Sequence, residues 1–138
     1  MKYFTRRLVR PNDLNMSHHL FGGQLLSWID EEAVIYASCR MRHDRIVTKY
    51  MSEIDFQRPA KTGDVLEFGL EVIEWGRTSL STRCEVRHKK SKEVVIKVER
   101  IVFVALDGTG KPVSYGKWAG RKSMRTQIDS VNQDAVNQ

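Results

Sequence analysis

The feature that most constrains this chain is the segment Gly22–Met41, GGQLLSWIDEEAVIYASCRM. Apolar residues stand at Leu25, Leu26, Trp28, Ile29, Ala33, Val34, Ile35, Tyr36 and Ala37, and no proline interrupts them. The spacing predicts one long helix that is apolar nearly all round, and such a helix has to be enclosed by other structure. Its acids, Asp30, Glu31 and Glu32, each need a reason to be there. Glu31 and Glu32 read as a solvated face and as partners for a cation such as Arg40 or Arg45.

The enclosing structure is predicted to be a sheet. Residues 3–9 (YFTRRLV) read as a short strand stopped by Pro11, Asn12 and Asp13, and a loop over residues 15–21 leads into the helix. Four further segments, residues 46–56, 64–75, 78–89 and 93–106, are rich in β-branched residues with stretches of period-2 alternation. Turn chemistry separates them: PAKTGD after Arg58, Gly76 with Arg77, and DGTG after Leu106. The order strand, helix, four antiparallel strands is an α+β arrangement in which one sheet folds around one helix. A chain of 138 residues fits a single domain, placed at residues 1–125, with a polar tail over 126–138 expected to be disordered.

A net charge of +6 suits a polyanionic partner, either nucleic acid or the phosphates of a nucleotide-bearing cofactor. The cations are spread from Lys2 to Arg125 with no nucleic-acid-binding motif among them, so no nucleic-acid partner is expected. No run approaches the roughly 20 apolar residues of a bilayer span, and the first residues lack a signal-peptide core. The chain is therefore expected to be cytoplasmic and off the membrane. Cys39 and Cys84 have no paired spacing and read as free thiols. His18 and His19 lack a third ligand at metal spacing, so no metal is expected. His43 and His88 read as surface residues.

Three stretches carry a resemblance. RPNDLNMSHHLFGGQLLSWID (residues 10–30) pairs a turn, a polar pair and a Gly-Gly helix start with an acid two turns into the helix. VTKYMSEIDFQRPAKTGD (47–64) and GRTSL (76–80), followed by VFVALDGTGKPV, complete the set. Together with the element order they resemble the hotdog-fold acyl-CoA thioesterases, in particular the cytosolic acyl-CoA hydrolase branch, over roughly residues 5–113. The resemblance implies a hotdog fold, hydrolysis of an acyl-CoA thioester, and a homodimer at minimum with a trimer of dimers as the larger assembly. Coenzyme A would be part of the substrate and no separate cofactor is implied. His19 departs from the pattern, since that position often holds Asn or Asp in the branch.

The residues are suited to such chemistry. Gly22 and Gly23 open the helix, where unpaired N–H groups and the positive dipole end can hold a developing oxyanion, although glycines there also serve tight packing. Asp30 shares a face with Leu26, Ala33, Val34 and Ala37, and burial there would suit a general base or a nucleophile; pairing with an arginine is the plain alternative. His19 could orient water or donate to the carbonyl, or be a structural loop residue. Arg77, Thr78 and Ser79, with Arg58 and the basic residues 117–125, are the candidates for the phosphates of coenzyme A. Gly22 and Asp30 are separated by about 12 Å along a helix rising 1.5 Å per residue, so one thioester reaches both only if they belong to different copies. Two other functions suit the same fold: an enoyl-CoA hydratase or dehydratase, using His18 or His19 with Asp30, and an acyl-CoA-binding regulatory module. Trp28, Tyr36 and Phe56 stand as either tunnel lining or core.

Overall fold

The computed structural model describes residues 1–116. It contains β1 (Lys2–Leu8), a 3-10 turn (Pro11–Asp13), α1 (Gly22–Met41), β2 (Ile46–Phe56), β3 (Val65–Trp75), β4 (Ser79–His88) and β5 (Val94–Ala105). Every expected element is present, with ends shifted by a residue or so. The tail at 126–138 and the basic stretch at 117–125 lie outside the described residues. The five strands form one antiparallel sheet in the order β1-β3-β4-β5-β2. The last strand thus separates β2 from the β3–β4 hairpin and leaves β2 at an edge.

The helix meets the sheet along Leu25, Ile29, Ala33 and Ala37, one residue per turn and all buried. Alanine at the two central positions lets the helix axis approach the sheet closely. Opposite lie Leu66, Phe68, Leu80, Val86, Ile96, Ile101 and Phe103, all fully buried, and each large side chain removed from water stabilises the fold by about 1.5–3 kcal/mol. Trp28 closes the β1 side of this core, its ring edge-on to Phe68 with centroids 6.4 Å apart.

The helix flanks explain two of its acids. Glu32 accepts a 2.9 Å bond from Arg7 on β1, and Glu31 stands 3.5 Å from the same guanidinium, which also lies 5.5 Å over the Trp28 ring. Their cation is thus Arg7, not Arg40 or Arg45: the first strand runs beside this flank, whereas Arg40 and Arg45 sit at the helix's far end. α1 stops at Arg42, which takes the left-handed conformation at φ 51°. His43 and His88 are half-buried rather than surface residues, because each ring nitrogen meets a backbone carbonyl: Leu106 at 2.8 Å and Pro59 at 3.3 Å. Cys84 is buried in β4 and burial pushes its thiol up to about 12, whereas Cys39 is exposed; both are free. No helix among the described residues is long and apolar enough to cross a membrane.

Candidate active site

Asp30 sits on the other flank of α1, between Leu26 and Val34 and towards β2. It is half-buried, and the Thr48 hydroxyl of β2 donates to its Oδ1 at 2.7 Å. That bond fixes one carboxylate oxygen and leaves the other free to accept a proton. Ala33 and Ala37, expected on the same face, turn into the core, so the acid lies at the border of the apolar stripe rather than inside it. No arginine pairs with it in the ion-pair network of the described residues.

At the helix start, Phe21 is the capping residue, with extended dihedrals (φ −64°, ψ 128°) and no side-chain cap, and no acid occupies the first turn. Leu25 N–H reaches back to the Phe21 carbonyl at 3.1 Å, so the preceding N–H groups at Gly22, Gly23 and Gln24 have no intrahelical acceptor. A cluster of uncapped donors at a positive dipole end is suited to an oxyanion. Neither glycine needs a special φ. A Cβ on Gly22 would instead stand 3.3 Å from the Phe56 ring, and one on Gly23 would meet the Phe21 ring at 2.7 Å. Close approach is what both glycines provide, which serves packing and ligand access alike.

The loop before the helix is tightly built. Asn15 Oδ1 accepts from the N–H groups of Ser17 (2.9 Å) and His19 (3.2 Å), Asn15 N–H donates to the His19 carbonyl at 2.7 Å, and His18 takes a positive φ of 61°. Leu20 is buried and its N–H bonds the Ala60 carbonyl at 2.7 Å, tying this loop to the β2–β3 connection. Between them runs a groove of about 460 Å³ lined by Asn15, His19, Gly22, Phe56, Arg58 and Pro59, among others. Past His19 it adjoins a cleft of about 540 Å³ bordered by Lys61, Lys89 and Lys90. Arg58 is partly committed: its Nη1 donates to the Val94 carbonyl at 3.1 Å and its Nε stands 3.9 Å from Glu93.

The chain therefore brings together His19, Gly22, Gly23 and Arg58, and holds Asp30 two turns away. It does not bring Arg77, Thr78 and Ser79 to them. Those residues form the turn between β3 and β4, where Trp75 pairs with Leu80 and Ala105 N–H bonds the Thr78 carbonyl at 2.8 Å. Phe56, beside Gly22, pairs instead with Ile96 at the opposite end of the sheet. Strand rise puts the two ends about 30 Å apart. Two residues now join the site that sequence reasoning missed, Thr48 and Asn15. Asn15 stands in the quoted N-terminal stretch, but only the folded loop shows its carboxamide organising the approach to the helix. Of the three aromatics left open, Trp28 is core and Phe56 lines the groove at 53% exposure. Tyr36 lines a separate apolar groove with Phe4, their ring centroids 5.4 Å apart.

Known proteins are similar to this chain in sequence and in fold. The acyl-CoA thioester hydrolase YciA of Escherichia coli (strain K12) is 35% identical over 113 residues, spanning 78% of this chain and 85% of that protein. Among solved structures, the hexameric thioesterase y2039 from Yersinia pestis superposes with a TM-score of 0.76 at 30% identity, over 82% of this chain and 93% of that one. The acyl-CoA hydrolase from Staphylococcus aureus, solved with butyryl coenzyme A, coenzyme A and coenzyme A disulfide, gives a TM-score of 0.72 at 28% identity, covering 96% of this chain and 88% of that chain. The Thioesterase superfamily profile matches residues 17–95, a span that runs from the His18-His19 loop through the helix into β5. On these grounds the chain, a hotdog fold in architecture, belongs to the thioesterase superfamily.

Proposed function

We propose that this chain hydrolyses acyl-CoA thioesters to free coenzyme A and a carboxylic acid, at a site made by two copies of the chain. The observation that carries the reading is the pairing of an uncapped helix start in a groove with an oriented carboxylate about 12 Å further along the same helix. The thioester carbonyl oxygen takes the Gly22 and Gly23 N–H groups, which stabilise the oxyanion as it forms. Asp30 of a second copy, held by Thr48, accepts a proton from the attacking water. A C–O bond forms, the tetrahedral intermediate collapses, the C–S bond breaks and coenzyme A leaves as the thiolate. A nucleophilic role for Asp30, through a mixed anhydride that water then opens, uses the same geometry. His19 at the groove mouth is suited to orienting water or the carbonyl.

The second copy is favoured by β2. This 11-residue strand pairs with β5 on one side, among the described residues nothing covers the other edge, and Val47, Tyr50, Ile54 and Phe56 are exposed. A long apolar edge of this kind invites strand pairing with its own copy. A homodimer is the minimum this reading needs, and a trimer of dimers follows the hexameric relatives. In such a pair the Arg77, Thr78 and Ser79 turn of one copy is available to a substrate held at the other copy's helix start, with Arg58 nearer the thioester. Both supply donors for the phosphates of coenzyme A. The reading calls for no separate cofactor and for the cytoplasm as the compartment, where Cys39 and Cys84 stay reduced.

The test is thiol release from a panel of acyl-CoAs by the wild type and by Asp30→Ala at matched folded concentration. A rate loss of at least about a hundredfold, the scale of acid–base catalysis, is expected. Wild-type hydrolysis with an unimpaired variant would remove Asp30 from the mechanism. Absence of hydrolysis across the panel would overturn the function itself.

A further inference from the structure

The turn that carries Arg77, Thr78 and Ser79 is held from outside its own hairpin. After β5 the chain reverses through Asp107, whose carboxylate takes the N–H groups of Thr109 and Lys111 at 2.8 and 3.1 Å. It returns antiparallel, with Leu106 bridged to Pro112 and Val113 N–H on the Ala105 carbonyl at 2.9 Å. That return lays Tyr115 against the β3–β4 turn. Its ring lies 6.5 Å from the Trp75 ring, and its hydroxyl stands 2.9 Å from both the Gly76 and the Ser79 carbonyl oxygens. The one hydroxyl proton is thus shared between the two ends of the turn.

The turn closes without this help, since Gly76 N–H already donates to the Ser79 carbonyl at 2.8 Å. Space inside it is filled as well: a Cβ on Gly76 would collide with the Ser79 hydroxyl. The tyrosine adds a fixed orientation of the turn relative to the sheet. Arg77, exposed at the tip, is thereby presented from a backbone that loses little freedom when a ligand binds.

We infer that Tyr115 is a positioning residue for substrate recognition, holding the Arg77–Ser79 turn in the form that meets the phosphates of the coenzyme A moiety. This rests on the reading of that turn given above. It predicts a dependence on the part of the substrate far from the reacting bond. Tyr115→Phe keeps the ring against Trp75 and removes only the shared hydroxyl.

The experiment measures kcat and KM of wild type, Tyr115→Phe, Arg77→Ala and the double variant. Each is assayed on an acyl-CoA and on the same acyl group carried by N-acetylcysteamine, which has no phosphates. For Tyr115→Phe the expected result is a KM for acyl-CoA raised about fivefold, the scale of one hydrogen bond, with kcat and the truncated substrate unchanged. Arg77→Ala should raise the same KM about tenfold, and adding Tyr115→Phe to it should change little, because the two act through one contact. If Arg77→Ala shows the split and Tyr115→Phe does not, the positioning role is wrong while the turn's role stands. Equal loss on both substrates makes Tyr115 a structural residue only. If Arg77→Ala leaves KM for acyl-CoA unchanged, the turn does not meet the phosphates and both assignments fall.

Discussion

At the scale of single residues the site turns on what Thr48 does to Asp30. A carboxylate at the edge of an apolar stripe can point in several directions, and a 2.7 Å bond from a hydroxyl on a rigid strand selects one. Thr48→Val keeps the shape and removes the donor, so kcat should fall about ten- to a hundredfold, the worth of one hydrogen bond to a charged group, with KM little changed. Thr48→Ser, which restores the hydroxyl, should recover most of the rate; equal activity in all three would show that Asp30 needs no orienting partner. Asp30 was legible as a candidate because an acid beside Leu26 and Val34 needs a reason to be there, either chemistry or the plainer pairing with an arginine. Thr48 was not, since a threonine in a strand is ordinary and its partner lies 18 positions away with no periodic relation. The glycine pair was legible as a helix start. Its reason, the rings of Phe56 and Phe21 within van der Waals reach of any added Cβ, is a property of packing.

At the scale of elements, strand lengths and the helix were read almost to the residue, because period-2 alternation and turn residues are local signals. The pairing order was not, since nothing local says that β2 leaves the hairpin meander to lie beside β5. Nor did the alternation identify which acids are structural. Glu67 on β3 is one: its side chain is only 5% exposed and is covered by Arg6, Arg87 and Lys92, with Arg87 at 2.9 Å. Burial alone would raise its carboxyl, but the hydrogen bonds and charges of Arg87 and Lys92 outweigh it and hold it below the usual carboxylate range. A depressed folded pKa means stability that is present above the unfolded value, near pH 4.5, and is lost as pH falls through the lower folded value. Glu67→Gln should therefore cost about 1–2 kcal/mol at pH 7, measured by urea denaturation. The gap between wild type and variant should close in acid; a gap independent of pH would assign the cost to packing.

At the scale of the whole molecule, in the proposed reading one chain holds every part of the site and yet no complete site. Gly22 and Asp30 lie about 12 Å apart on one rigid helix, the Arg77 turn lies at the far end of the sheet, and β2 exposes an apolar edge. In that reading a two-fold axis beside β2 would resolve all three, by running the two helices antiparallel with the start of one against the middle of the other. The consequence can be counted. Take Asp30→Ala in one set of chains and Gly22→Val, which forces a side chain against the Phe56 ring, in the other; each alone is expected to be inactive as a homodimer. Refolded together in equal amounts, half of the dimers are mixed, and each mixed dimer has one site with both residues intact and one with both altered. Activity should then recover to about one quarter of wild type, since half of the dimers each carry one of two sites. If Gly22 and Asp30 instead served the same thioester within one chain, every site would carry one defect and mixing would restore nothing. Recovery near one quarter thus measures the composite site directly, without a structure of the complex.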